Sequence, residues 1–133
     1  MLLKIINFLA LEIASIRHAI VGIYTFIKEE KHARIHSLGA GGIISFGYFF
    51  QINGVEWCFL LLAISAVIVS EILNSAVERL VDLCSPQFHP LAKKAKDLAA
   101  ASVLVASVIG AIISLIIFMP YLWLLTCQST YIS

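Results

Sequence analysis

Charge is what this sequence has least of. Only 13% of its 133 residues are Asp, Glu, Lys or Arg, against 61% hydrophobic, a balance far from that of a soluble globular domain. Between Arg34 and Glu56, 21 consecutive residues carry no such charge, and from Leu98 to Ser133 there is none. Each run is long enough to cross about 30 Å of hydrocarbon as a helix, so the composition is that of a membrane protein. The net charge of +1 gives no basis for a nucleic-acid surface or a strongly acidic partner.

Cysteine is scarce as well. Cys58, Cys84 and Cys127 are odd in number and far apart, which excludes a CxxC zinc or redox motif and a disulfide framework and leaves them as small apolar residues. No classical kinase or ATPase motif is present. The glycines of "GAGGIISFG" are not followed by Gly-Lys-Ser/Thr and read as close-packing positions between helices. His18, His32 and His36 lack metal-ligand spacing supported by other ligands.

What is present is an all-α membrane architecture in one domain: a surface helix over about residues 1–28, then three spans over about 33–52, 56–83 and 92–120. In "MLLKIINFLALEIAS", Lys4 and Glu12 interrupt what could pass for a signal peptide. Leu2, Ile5, Ile6, Leu9 and Ile13 instead form one apolar stripe suited to the headgroup boundary. "QINGVE" and "CSPQFHPLA" are the turn signals between spans. All nine basic residues precede the first span or lie around the second loop, which puts the N-terminus in the cytoplasm and the C-terminus outside. Tyr48, Trp57, Tyr121 and Trp123 fall near the opposite ends, as an outer aromatic belt.

The exception to the charge-poor pattern is "SEILNSAVERLVD", residues 70–82. At 100° per residue, Glu71, Glu78 and Asp82 lie within about 20° of one line, flanked by Asn74 and Ser75. An acid near the centre of a span costs roughly 2.5 to 3.5 kcal/mol, so it faces the bundle interior and finds a cation or a proton. Glu71 is the deepest and is placed for a general base; Glu78, nearer the water, is placed to hold a hard cation. Glu29 and Glu30 at the entry to span one, and Lys96 and Asp97 at the entry to span three, could complete a site for Mg²⁺ on a nucleotide polyphosphate, since one or two carboxylates plus phosphate oxygens suffice. Plainer readings stand beside these. The acidic stripe serves equally as a structural network, or as the proton relay of a small non-enzymatic transporter built around Glu71. Lys93, Lys94 and Lys96 serve as an orientation and lipid-headgroup cluster, and His89 as a solvated loop residue.

"EILNSAVERLVD", followed by His89 and then "AKDLAAASV", resembles the bacterial diacylglycerol kinase and undecaprenol kinase family of small integral-membrane lipid kinases, over about Arg17 to Pro120. The resemblance implies a homotrimer of three-span subunits in the cytoplasmic membrane, with active sites shared between neighbours. Each would transfer the γ-phosphate of Mg²⁺-ATP to a lipid hydroxyl. It implies Glu71 as the base and Glu30 and Glu78 as metal ligands. His18, Glu30, Glu78, His89, Lys96 and Asp97 fall on the nucleotide side, with the lysine on phosphate; Arg34, Glu71 and Asn74 fall on the lipid side. The chain departs from the family at Leu11, where diacylglycerol kinases carry a nucleotide-contacting arginine, at Val21, often basic, and at His32, commonly asparagine. His18, "HPLAKKAKD" and "IIFMP" look more like the undecaprenol branch, so undecaprenol is expected ahead of diacylglycerol.

Overall fold

The computed structural model describes residues 2–130, with side chains for residues 12–125 and for Cys127. It is entirely helical over that range: α1 (Leu2–Glu29), α2 (Lys31–Phe50), α3 (Gly54–Cys84) and α4 (Pro90–Thr130). Of the apolar stripe expected on the surface helix, only Ile13 lies among the described side chains, and it is exposed. The side chain of Leu11 also lies outside them.

Each boundary has a local cause. The α1–α2 break is a single extended residue, Glu30, at φ −92° and ψ 122°. α2 ends in a Schellman turn: the Ile52 N–H donates to the Gly47 carbonyl and the Gln51 N–H to that of Tyr48, with Gln51 in the left-handed region at φ 51°. That geometry satisfies carbonyls the helix end would otherwise leave unpaired. Two residues on, the Asn53 side chain accepts from the Val55 and Glu56 N–H groups while the Glu56 carboxylate accepts from the Asn53 N–H, a reciprocal capping box that starts α3. α4 begins with Pro90 in its first turn, where a missing N–H costs nothing, and the His89 ring accepts from the Leu91 N–H.

α3 and α4 pack along each other most extensively, and α2 lies against α3. The apolar core sits at the α2–α3 turn: Ile52, Leu60, Ile117 and Phe118 are buried, with Phe50, Trp57 and Tyr121 packed on them. Of the expected outer aromatics, Trp57 and Tyr121 pack there, the Tyr48 ring meets that of Trp57 at a tilt with centroids 4.9 Å apart, and Trp123 is exposed. The Tyr121 hydroxyl donates to the Glu56 carboxylate at 2.8 Å, tying α4 to the first turn of α3.

Helix α4 is not confined to the span expected over about residues 92–120; it runs on to Thr130 with Pro120 inside it. A proline deletes one helical bond and kinks the axis, but it ends a helix only where nothing holds the next turn. Here Ile117, Phe118 and Tyr121 are anchored on both sides of it. Nor are the glycines of α2 uniformly close-packed. Within one chain, Gly39, Gly41 and Gly42 have open space where a Cβ would stand, and only Gly47 is pressed, by Trp57.

Among the described residues, α3 and α4 are the helices long and apolar enough to cross a membrane. α2 has the length, at about 30 Å, but is diluted by Lys31, His32, Arg34, His36 and four glycines. Leucine, isoleucine, valine and aromatic side chains stand exposed along all four helices, and among the described residues Leu60 is the one large side chain wholly buried. A chain in water would bury such surface; hydrocarbon or other copies of the chain must cover it.

Candidate active site

The polar stripe of α3 is graded by burial. Glu71 and Ser75 are buried, Asn74 and Glu78 half-buried, and Asp82 exposed, so the stripe runs from the packed interior to the open end of the helix. No Gly or Pro interrupts α3 between Val55 and Cys84, which keeps the stripe in register over its whole length.

At the deep end, Glu71 Oε1 lies 3.0 Å from His36 Nε2 on α2, with the carboxylate side chain 6% exposed and the imidazole 29%. A carboxylate at that burial calls for a polar or charged partner, and the His36 ring lies within ion-pair distance of it. His36 also stands on the wall of a groove of about 270 Å³ between α2, α3 and α4, lined otherwise by apolar and small residues such as Ile43, Val67 and Gly110. Ser107 on α4 lines it too, with its hydroxyl buried and unbonded.

Toward the open end, Asn74 Nδ2 donates to Glu78 Oε1 at 3.2 Å, and Asn74 Oδ1 is buried with no partner. Arg79 Nη2 reaches Glu30 Oε1 at 2.9 Å and Glu29 Oε2 at 3.0 Å, clamping the α1–α2 break onto α3. Lys96 Nζ bonds Asp82 Oδ1 at 2.7 Å from α4 to α3, and its sequence neighbour Asp97 pairs back along α4 with Lys93 at 2.6 Å.

The predicted site residues therefore divide. Glu71, Asn74 and Glu78 share one face of α3, Glu30 is drawn to that helix by Arg79, and Lys96 reaches it through Asp82. His18, Arg34 and His89 are exposed, and among the described residues no ion pair or hydrogen bond joins them to the carboxylates. No group of three His, Cys, Asp or Glu side chains converges to hold a metal among the described residues. Two residues at the site were not read from the pattern. His36 had a signal, as the one histidine inside the charge-free run after Arg34; Arg79 had a weaker one, as a cation next to Glu78.

Among the described residues, four helices, two of them long and apolar enough to cross a membrane, and exposed apolar faces on each place the protein in the class of helical membrane proteins. Comparison with known proteins narrows that class. Residues 17–118 match the family model described as prokaryotic diacylglycerol kinase. An undecaprenol kinase of Bacillus subtilis is 39% identical over 105 residues, 79% of this chain and 85% of the relative. A diacylglycerol kinase of Helicobacter pylori is 44% identical over 59 residues, 44% of this chain and 46% of the relative. One from Synechocystis is 32% identical over 109 residues, 81% and 62%. The chain belongs to the prokaryotic diacylglycerol kinase family. It is a phosphotransferase with an alcohol acceptor.

Proposed function

We propose that this protein is a lipid kinase that transfers the γ-phosphate of ATP, as its Mg²⁺ complex, to the hydroxyl of a membrane lipid alcohol. The product is undecaprenyl phosphate from undecaprenol, or phosphatidic acid from diacylglycerol. The observation that carries this reading is the buried Glu71, paired with a side chain on the wall of an apolar groove open to the surrounding hydrocarbon, with polar ion-pairing groups farther along the same helix face. A lipid alcohol would reach such a base from the bilayer, and a phosphate donor would arrive from water.

Glu71 acts as the base. As the lipid oxygen bonds to the γ-phosphorus, the bond from that phosphorus to the β–γ bridging oxygen breaks; ADP leaves, and the hydroxyl proton passes to the carboxylate. Positioning and charge do most of the work in such a transfer. Glu30 and Glu78 would hold Mg²⁺. The donor type fits, since carboxylate oxygens are the hard ligands Mg²⁺ takes. When bound there, the ion would neutralise charge on the phosphate oxygens. Lys96 and Asp97, with His18 and His89, serve the nucleotide, and Arg34 and Asn74 the lipid.

Undecaprenol is the first choice of acceptor, on the motifs the chain shares with that branch and on the extent of its similarity to the Bacillus subtilis undecaprenol kinase. The assembly is a homotrimer in the cytoplasmic membrane, with α2 as a third span, the N-terminus inside and the C-terminus outside. Large exposed apolar faces on every helix favour an assembly.

The decisive variant is Glu71→Gln, which keeps shape and hydrogen bonding but cannot take the proton. It is expected to assemble and bind ATP as the parent does and to lose turnover. Near-normal turnover in Glu71→Gln removes the base assignment.

A further inference from the structure

Glu71 is useful as a base only if one oxygen is available to the incoming hydroxyl and the carboxylate holds still. A glutamate reaches its oxygens through three rotatable bonds, and burial strips it of the water that would otherwise surround it. One side chain meets it: His36, whose Nε2 lies 3.0 Å from Oε1. That contact joins α2 to α3 and leaves Oε2 without a side-chain partner among the described residues. The imidazole is more exposed than the carboxylate, and it lies on the groove wall. The base is thus tied to a side chain that a lipid in the groove would meet.

We propose that His36 is a positioning residue for phosphoryl transfer: its Nε2 holds Glu71 Oε1, so the carboxylate keeps one setting and Oε2 is left for the lipid hydroxyl. This rests on Glu71 being the base. The donor comes from a different helix, so the setting of the base depends on where α2 sits. That position is fixed at one end by the Arg79 clamp on Glu30 and at the other by Gly47 against Trp57. The substrate's chemistry explains why a histidine serves. A neutral ring offers one donor without placing a permanent cation in the hydrocarbon, where a lysine or arginine would be costly.

The test compares His36→Phe, His36→Ala and His36→Gln with the parent and Glu71→Gln, each purified as the full chain in mixed micelles with Mg²⁺-ATP and undecaprenol. Size-exclusion elution serves as the assembly control. Loss of the donor is expected to lower kcat by about 100-fold, the scale of an ångström misplacement. KM for ATP should stay within about twofold, because His36 touches none of the residues assigned to the nucleotide. His36→Gln can still donate through its amide and should recover at least about tenfold of the loss relative to His36→Phe. A purely structural role would move both parameters and would not distinguish Gln from Phe. Parent-like kcat in His36→Phe or His36→Ala overturns the proposal, as does a Gln variant no better than Phe. If Glu71→Gln is dead while those variants are normal, the base assignment survives and the positioning role falls alone; if Glu71→Gln is active, both fall.

Discussion

Asn74 donates to Glu78 at 3.2 Å and keeps its own carbonyl oxygen buried and unpaired, an arrangement that costs free energy unless something completes it. Glu30, by contrast, is already satisfied by Arg79. If both acids hold Mg²⁺, Glu78→Ala and Glu30→Ala should each raise the Mg²⁺ concentration needed for half-maximal activity by tenfold or more (about 1.4 kcal/mol per tenfold), and ATP affinity should fall with it. Unchanged Mg²⁺ titrations in both variants would remove them as ligands. The acids of α3 were legible in the sequence because helical periodicity alone puts Glu71, Asn74 and Glu78 on one face. His36 was not, since its bond to Glu71 crosses 35 positions of chain, and no periodicity within one helix reports which face of its neighbour it meets. Arg79 escaped for the same reason: its partners lie on α1 and at the break before α2.

At the level of elements, the turn between α2 and α3 is the most tightly specified part of the chain. Its Schellman end, capping box and Tyr121–Glu56 bond follow one another within a few residues, and "QING" announced the turn though not its geometry. Gly47 is there because a Cβ would stand 2.8 Å from Trp57 Cη2. Gly47→Leu is therefore expected to destabilise the protein by about 1–3 kcal/mol through overpacking. Thermal unfolding in detergent should show a lowered midpoint, whereas the same substitution at Gly41, where a Cβ meets nothing within 4 Å, serves as the contrast. Equal midpoints for the two variants would contradict the packing account. The spans of α3 and α4 were legible from the absence of charge. That α4 continues beyond Pro120 was not legible, because a proline is a strong stop signal only in a chain without anchors beyond it, and Tyr121 is such an anchor.

For the whole molecule, the balance of apolar and polar surface decides the setting. One wholly buried large side chain among the described residues is too little core for a protein that stands alone in water. The same exposed faces that exclude solubility supply the surface for lipid and for neighbouring subunits, and the open end of the α3 stripe is where a water-borne nucleotide could meet a membrane-borne alcohol. The central claim is that meeting. It is tested most directly by offering the purified full chain γ-labelled ATP in mixed micelles containing undecaprenol or diacylglycerol, with Mg²⁺ or with a chelator. The account predicts label in the lipid phosphate, Mg²⁺-dependent, with undecaprenol the better acceptor. Label in neither lipid with Mg²⁺ present would contradict it.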